Sequence, residues 1–138
     1  METHYKFIKE HQLLVQKTFG NYSIEDYISY INSIYTKENM LHVKKVITDL
    51  RGTNLELAFK DIDKLVELRE QIILFEYVNV NIVDTPTSNA VVHLYQKKIT
   101  DKRLPKHKQH YCSTPQMAID LLQIDMPQEE LTNLLDSF

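Results

Sequence analysis

The chain is 138 residues long, carries a formal net charge of −3, and is 43% hydrophobic and 25% charged. That mixture supports one packed core, is too hydrophobic for a disordered chain, and lacks the basic excess with which nucleic-acid binders neutralise phosphates. A single cysteine, Cys112, rules out an internal disulfide, and two glycines are too few for a P-loop or a dinucleotide fingerprint, where several glycines let backbone approach phosphate.

The first elements in chain order are two short strands, Tyr5 to Ile8 and Gln12 to Thr18, with a turn expected at Phe19-Gly20-Asn21. The polar stretch Lys9-Glu10-His11 between them allows a hairpin. Ser23 opens a helix: its hydroxyl can cap free N–H groups, and Glu25 and Asp26 sit at the positive end of the dipole. Ile24, Tyr27, Ile28, Ile31, Ile34 and Tyr35 then recur at helical spacing. His42 to Leu50 reads as the next strand, closed by a turn over Thr48 to Thr53. A second helix is expected over Ala58 to Ile72, with Ile62, Leu65, Leu68 and Ile72 inward. Asp61, Asp63, Lys64, Glu67, Arg69 and Glu70 are expected to face water.

Tyr77 to Val83 is a strand in which Val78, Val80 and Ile82 alternate with Asn79 and Asn81. Asp84 to Ser88 supplies turn and cap residues for a third helix carrying Ala90, Val91, Leu94 and Tyr95. A basic loop, Lys97 to Lys108, follows and reads as a solvated segment. His110 to Cys112 is a short last strand, and Ser113-Thr114-Pro115-Gln116 starts a helix with cap hydroxyls and a first-turn proline. Strands alternating with helices imply a largely parallel sheet under helices, with the hairpin adding an antiparallel edge.

Gln123 to Pro127 reads as a linker. The expected organisation is therefore a domain over 1–125 and an amphipathic helix over 126–138, whose Leu131, Leu134, Leu135 and Phe138 form one stripe. So short a helix is marginal alone in water, so its stripe is expected to dock on its own domain or across a homodimer. No apolar run reaches the ~20 residues of a membrane span, and Met1 to Lys6 has no signal-peptide layout; the expectation is a cytoplasmic protein without membrane or nucleic-acid partners.

The element order, the segment Val46-Ile47-Thr48-Asp49-Leu50-Arg51-Gly52 and the ending Tyr111 to Leu122 resemble the STAS-like bacterial proteins. These are relatives of the anti-sigma-factor antagonists and of the C-terminal domain of sulfate transporters. The resemblance covers about residues 5 to 123. It implies an α/β fold with a mixed four- to five-stranded sheet, no cofactor or metal, and a role in docking a protein partner rather than catalysis. In the antagonist branch a phosphorylated serine or threonine after the central strand breaks that docking. Here Asp49 and Gly52 fit the pattern, Leu50 and Arg51 fill the modified position, and Thr53 is the nearest hydroxyl.

Several groups are candidates for chemistry. Asp49 and Asp84 each follow a strand, where open sheets place ligands, although aspartates there ordinarily stabilise turns. Arg51, Gly52 and Thr53 could hold an anion or a partner at the start of the second helix. His107, His110 and Cys112 have zinc-ligand chemistry but no second ligand pair, so no metal is expected. Tyr22, Tyr27, Tyr30, Tyr35, Tyr77, Tyr95 and Tyr111 could line an aromatic pocket, although tyrosines ordinarily sit at the rim of a core. Three readings of function follow: first a partner-binding module centred on Asp49, Arg51, Gly52, Thr53 and Asp84, second a carrier that holds an acyl chain or nucleotide in a pocket between helix and sheet, and third an enzyme whose site is not recognisable in the sequence. A nucleophile–base pair is not visible.

Overall fold

The computed structural model describes residues 1–102 and 107–138, with the backbone alone for Ile72 and His107. Five strands lie side by side in chain order: β1 (Glu2–Ile8), β2 (Leu13–Asn21), β3 (Lys45–Asn54), β4 (Tyr77–Ile82) and β5 (His107–Cys112). β1 is antiparallel to β2, and each later pair is parallel. The α-helices are α1 (Ile24–Ile34), α2 (Lys37–Met40), α3 (Ile62–Ile72), α4 (Pro86–Asp101), α5 (Pro115–Leu122) and α6 (Gln128–Ser137). The protein is thus α/β with a five-stranded mixed sheet. Among the described residues no helix is long and apolar enough to cross a membrane.

The helix starts follow their sequence signals. The side chains of Ser23, Thr85 and Thr114 accept hydrogen bonds from the backbone N–H groups of Asp26, Ser88 and Met117. Proline fills the first helical position of α4 and α5, where no N–H is needed.

The connections β2–α1–β3, β3–α3–β4 and β4–α4–β5 each step one strand in the same direction. Right-handed crossovers that step one way put their helices on one face. That face of the sheet meets α1 through Leu14, Val46 and Tyr77 against Ile31 and Ile34. The opposite face is left to α5 and α6: Val15, Ile47 and Val80 pack there with Ala118, Ile119 and Leu122. Gln123, in the left-handed region at φ 53°, ends α5, and the Ile124 N–H bonds back to the Ile119 carbonyl. This turn sends the chain back so that α6 lies on the same face. Leu131 and Leu135 are fully buried in the α5 cluster, with Leu134 and Phe138 partly buried against it. The apolar stripe of the tail is therefore used within its own chain.

Three local expectations need correction. The turns expected at Phe19 to Asn21 and at Asp49 to Thr53 are strand. β2 and β3 keep pairing as Phe19↔Gly52, Gly20↔Thr53 and Asn21↔Asn54, past a bulge between Lys17 and Phe19. Gly52 sits where a Cβ would lie 3.1 Å from the Thr18 carbonyl oxygen and 3.2 Å from the Phe19 ring, so its role is close strand approach and not a turn. The second helix begins four residues late, because Glu56–Asp61 form a 3-10 segment. Arg51 to Thr53 consequently do not stand at a helix N-terminus. The third correction is Arg69, which was expected to face water and is 4% exposed.

Candidate functional site

Parallel strands covered by helices are normally apolar on both faces. Here the α5 and α6 face follows that rule except for the buried Asp49, and the other face departs from it across several strands. On the face toward α1, α3 and α4, the middle of the sheet carries Gln16 and Thr18 on β2, Thr48 on β3, Asn79 and Asn81 on β4, and Gln109 on β5. All but Gln109 are buried.

These groups form a band of hydrogen bonds across four strands. The Gln16 amide donates to Thr48 Oγ1 at 2.8 Å, Thr48 Oγ1 to Asn79 Oδ1 at 3.0 Å, and Asn79 Nδ2 to Gln109 Oε1 at 3.0 Å and Asn81 Oδ1 at 3.1 Å. Above the band the helices do not close down. A cavity of about 130 Å³ lies between them and this part of the sheet. It is partly open, with half-buried Met1, Thr3 and Leu50 among its lining residues.

Six of the seven tyrosines singled out from the sequence line this chamber: Tyr22, Tyr27, Tyr30, Tyr35, Tyr77 and Tyr95. Tyr111 does not; it is exposed, with its hydroxyl 3.1 Å from His93 Nδ1. The Tyr30 and Tyr35 hydroxyls donate to Gln16 Oε1 at 2.6 and 3.3 Å, tying the aromatic wall to the polar floor. Burial pushes the phenols of Tyr30, Tyr35, Tyr77 and Tyr95 above their ordinary pKa, so they are neutral at physiological pH.

Arg69 of α3 enters the same chamber. Its Nη1 and Nη2 donate to the Tyr77 hydroxyl at 2.8 and 3.0 Å, and its guanidinium lies 5.5 Å from the Tyr77 ring centroid. The helical spacing that could have shown this was present in the sequence. Arg69 falls seven residues after Ile62 and three after Val66, in the centre of the buried stripe. Its charge alone suggested the solvent side. The alternation Val78-Asn79-Val80-Asn81 was read as a strand with two faces, but nothing in it says what covers the polar one.

Asp49 and Arg51 are not among the residues lining the chamber and lie on the α6 side of the sheet. Asp49 is fully buried. Its Oδ1 accepts from the Arg51 backbone N–H at 3.1 Å and Nε at 2.9 Å, and its Oδ2 from Nη2 at 2.8 Å. Lys17 Nζ lies 3.8 Å from Oδ2 and donates to the Leu135 carbonyl at 3.2 Å, so the pair is linked to α6. The bonds to Asp49 hold the Arg51 guanidinium above its ordinary pKa, against partial burial. Gly52 and Asp84 are exposed. Thr53 is buried, its hydroxyl hydrogen-bonded to that of Thr18.

Cys112 is buried, with its thiol near the Thr114 carbonyl at 3.4 Å, while His110 is exposed. Burial pushes the Cys112 thiol up, against the reactive thiolate. The side chain of His107, and Arg103 and Lys106 of the basic stretch, lie outside the described residues. Among the described residues no group of three or more His, Cys, Asp or Glu is arranged to hold a metal.

No family model matches the chain, and no curated protein matches it either.

Proposed function

We propose that the chain is a STAS-like module that acts by binding a small molecule, without transforming it, in the chamber between the sheet and α1, α3 and α4. One observation carries this reading: a band of buried amides and hydroxyls faces open room where a purely structural sheet would pack apolar side chains against its helices. Burying polar groups beside a void stabilises nothing by itself. Such groups convert into affinity when a ligand meets them. The volume suits a small body, since an apolar cavity of roughly 150 Å³ accommodates benzene.

The STAS-like assignment is supported by the antiparallel first pair and by the three successive βα units that follow. The partner-docking role that the resemblance implies has less behind it. Asp49 is occupied by Arg51, and the Thr53 hydroxyl is buried.

The test is a titration with benzamide, a neutral ring bearing one amide, followed by NMR. Its addition is expected to shift resonances of Asn81, Tyr35 and Val92, all chamber residues, with affinity in the millimolar range. Leu50→Trp, which places an indole at the half-buried edge of the chamber, is expected to weaken the binding at least ~10-fold while the fold persists. If neither benzamide at its solubility limit nor its anionic counterpart benzoate moves these resonances, the chamber is not a binding site.

A further inference from the structure

Arg69 is 96% buried and is the one charged side chain among the described residues lining the chamber. Buried arginines are ordinarily paired with a carboxylate, because a lone charge loses its hydration without compensation. Among the described residues no carboxylate forms an ion pair with Arg69. Its polar partner is the neutral phenol of Tyr77, which takes two of its N–H groups and none of its charge.

Two further donors are idle. Arg69 Nε and Gln109 Nε2 are both completely buried, and neither has a hydrogen-bond partner among the described residues. Gln109 spends its oxygen on Asn79, which leaves the NH₂ end unused. The residues lining the chamber therefore carry an uncompensated positive charge and two spare donors just beneath its surface, with Ile31, Leu65, Ile73 and Val91 as apolar neighbours in the lining.

We propose, building on the small-molecule reading above, that the ligand is a small organic acid, its carboxylate held by Arg69 and Gln109 and its apolar body lying among Tyr27, Tyr35 and Ile31. A monoanion fits a chamber whose lining has one cation without a carboxylate partner among the described residues, since the Met1 ammonium is paired with Asp26. A phosphate dianion would ask for more charge and for the backbone N–H cradle of a helix N-terminus, and the residues gathered here are side-chain amides and phenols.

The experiment compares benzoate with benzamide, which share shape and differ in charge. Calorimetric titration of the full chain is expected to show benzoate binding about 10-fold tighter or more, the margin of a charge-assisted over a neutral hydrogen bond. Arg69→Met keeps the length and apolar stem; it is expected to abolish the preference for benzoate over benzamide. Arg69→Lys, which keeps the charge and loses the fork, is expected to retain part of the preference and serves if the methionine variant fails to fold. Equal affinity of the wild type for the two probes, or an undiminished preference for benzoate in either a folded Arg69→Met variant or a folded Gln109→Leu, Arg69→Met double variant, overturns the carboxylate assignment and leaves the chamber reading standing. Binding of neither probe overturns both.

Discussion

Removing residues 126–138 is expected to unfold the protein rather than trim it. The deleted segment holds Met126, Leu131 and Leu135, each nearly or fully buried against Ile8, Val15, Ile47 and Val80 on the α6 face of the sheet. Without α6 those sheet residues face water, and the Lys17 ammonium loses the Leu135 carbonyl that it donates to. A single truncation measures the effect more gently. Leu135→Ala, at a site with no solvent exposure, should cost about 2–5 kcal/mol. For a domain whose total stability is of the order of 5–15 kcal/mol, that is a large share, and the full deletion should exceed it. Chemical denaturation of Leu135→Ala and circular dichroism of the truncated chain check both. A truncated protein that melts at the wild-type temperature would show that α6 contributes nothing to the core.

Arg51→Ala is expected to lower the melting temperature by roughly 10 °C, corresponding to about 2–3 kcal/mol for a chain of this size. The sequence alone made Arg51 a candidate for a solvated binding loop, where its loss would be thermally silent. The geometry reverses that expectation. Asp49 has no solvent exposure, and Arg51 supplies three of the contacts to its carboxylate. Truncating the arginine side chain leaves the backbone N–H and strands a buried charge. Breaking such a pair costs ~3–5 kcal/mol when both partners are deeply buried, and the partial exposure of Arg51 with Lys17 close by reduces the figure. The double variant Asp49→Leu, Arg51→Met removes both charges and should recover most of the loss. Thermal melts of the single and double variants decide the matter. A single variant as stable as the wild type would free Arg51 for a surface role.

The alternation of strands and helices was legible because it rests on local periodicity. Ile24, Ile31 and Ile34 at helical spacing, the Ser23 and Thr114 caps, and the run from Tyr77 to Ile82 each read correctly without any knowledge of their neighbours. The tail was legible too, since a short helix with Leu131 and Leu135 on one stripe must bury that stripe to exist. Turn residues misled where strand pairing overrode them. Gly52 looks like a turn in isolation and is a strand residue because Thr18 and Phe19 of β2 approach it closely.

The candidate site was half visible. The tyrosines stood out in the sequence, but nothing local distinguishes a tyrosine at the rim of a core from one lining a chamber. Asn79 and Asn81 announced a polar face, and Arg69 a charge; the sequence by itself determined that these groups exist and which side of β4 the asparagines occupy, while its charge put Arg69 on the wrong side of α3. Only the tertiary structure decided that the polar face of β4 lies under the stripe of α3 that bears Arg69. The reason is topological: three crossovers stepping in one direction bring α1, α3 and α4 to the same side of the sheet, while α5 and α6 take the other. Burial of a polar group depends on what covers it, and the cover comes from residues tens of positions away along the chain.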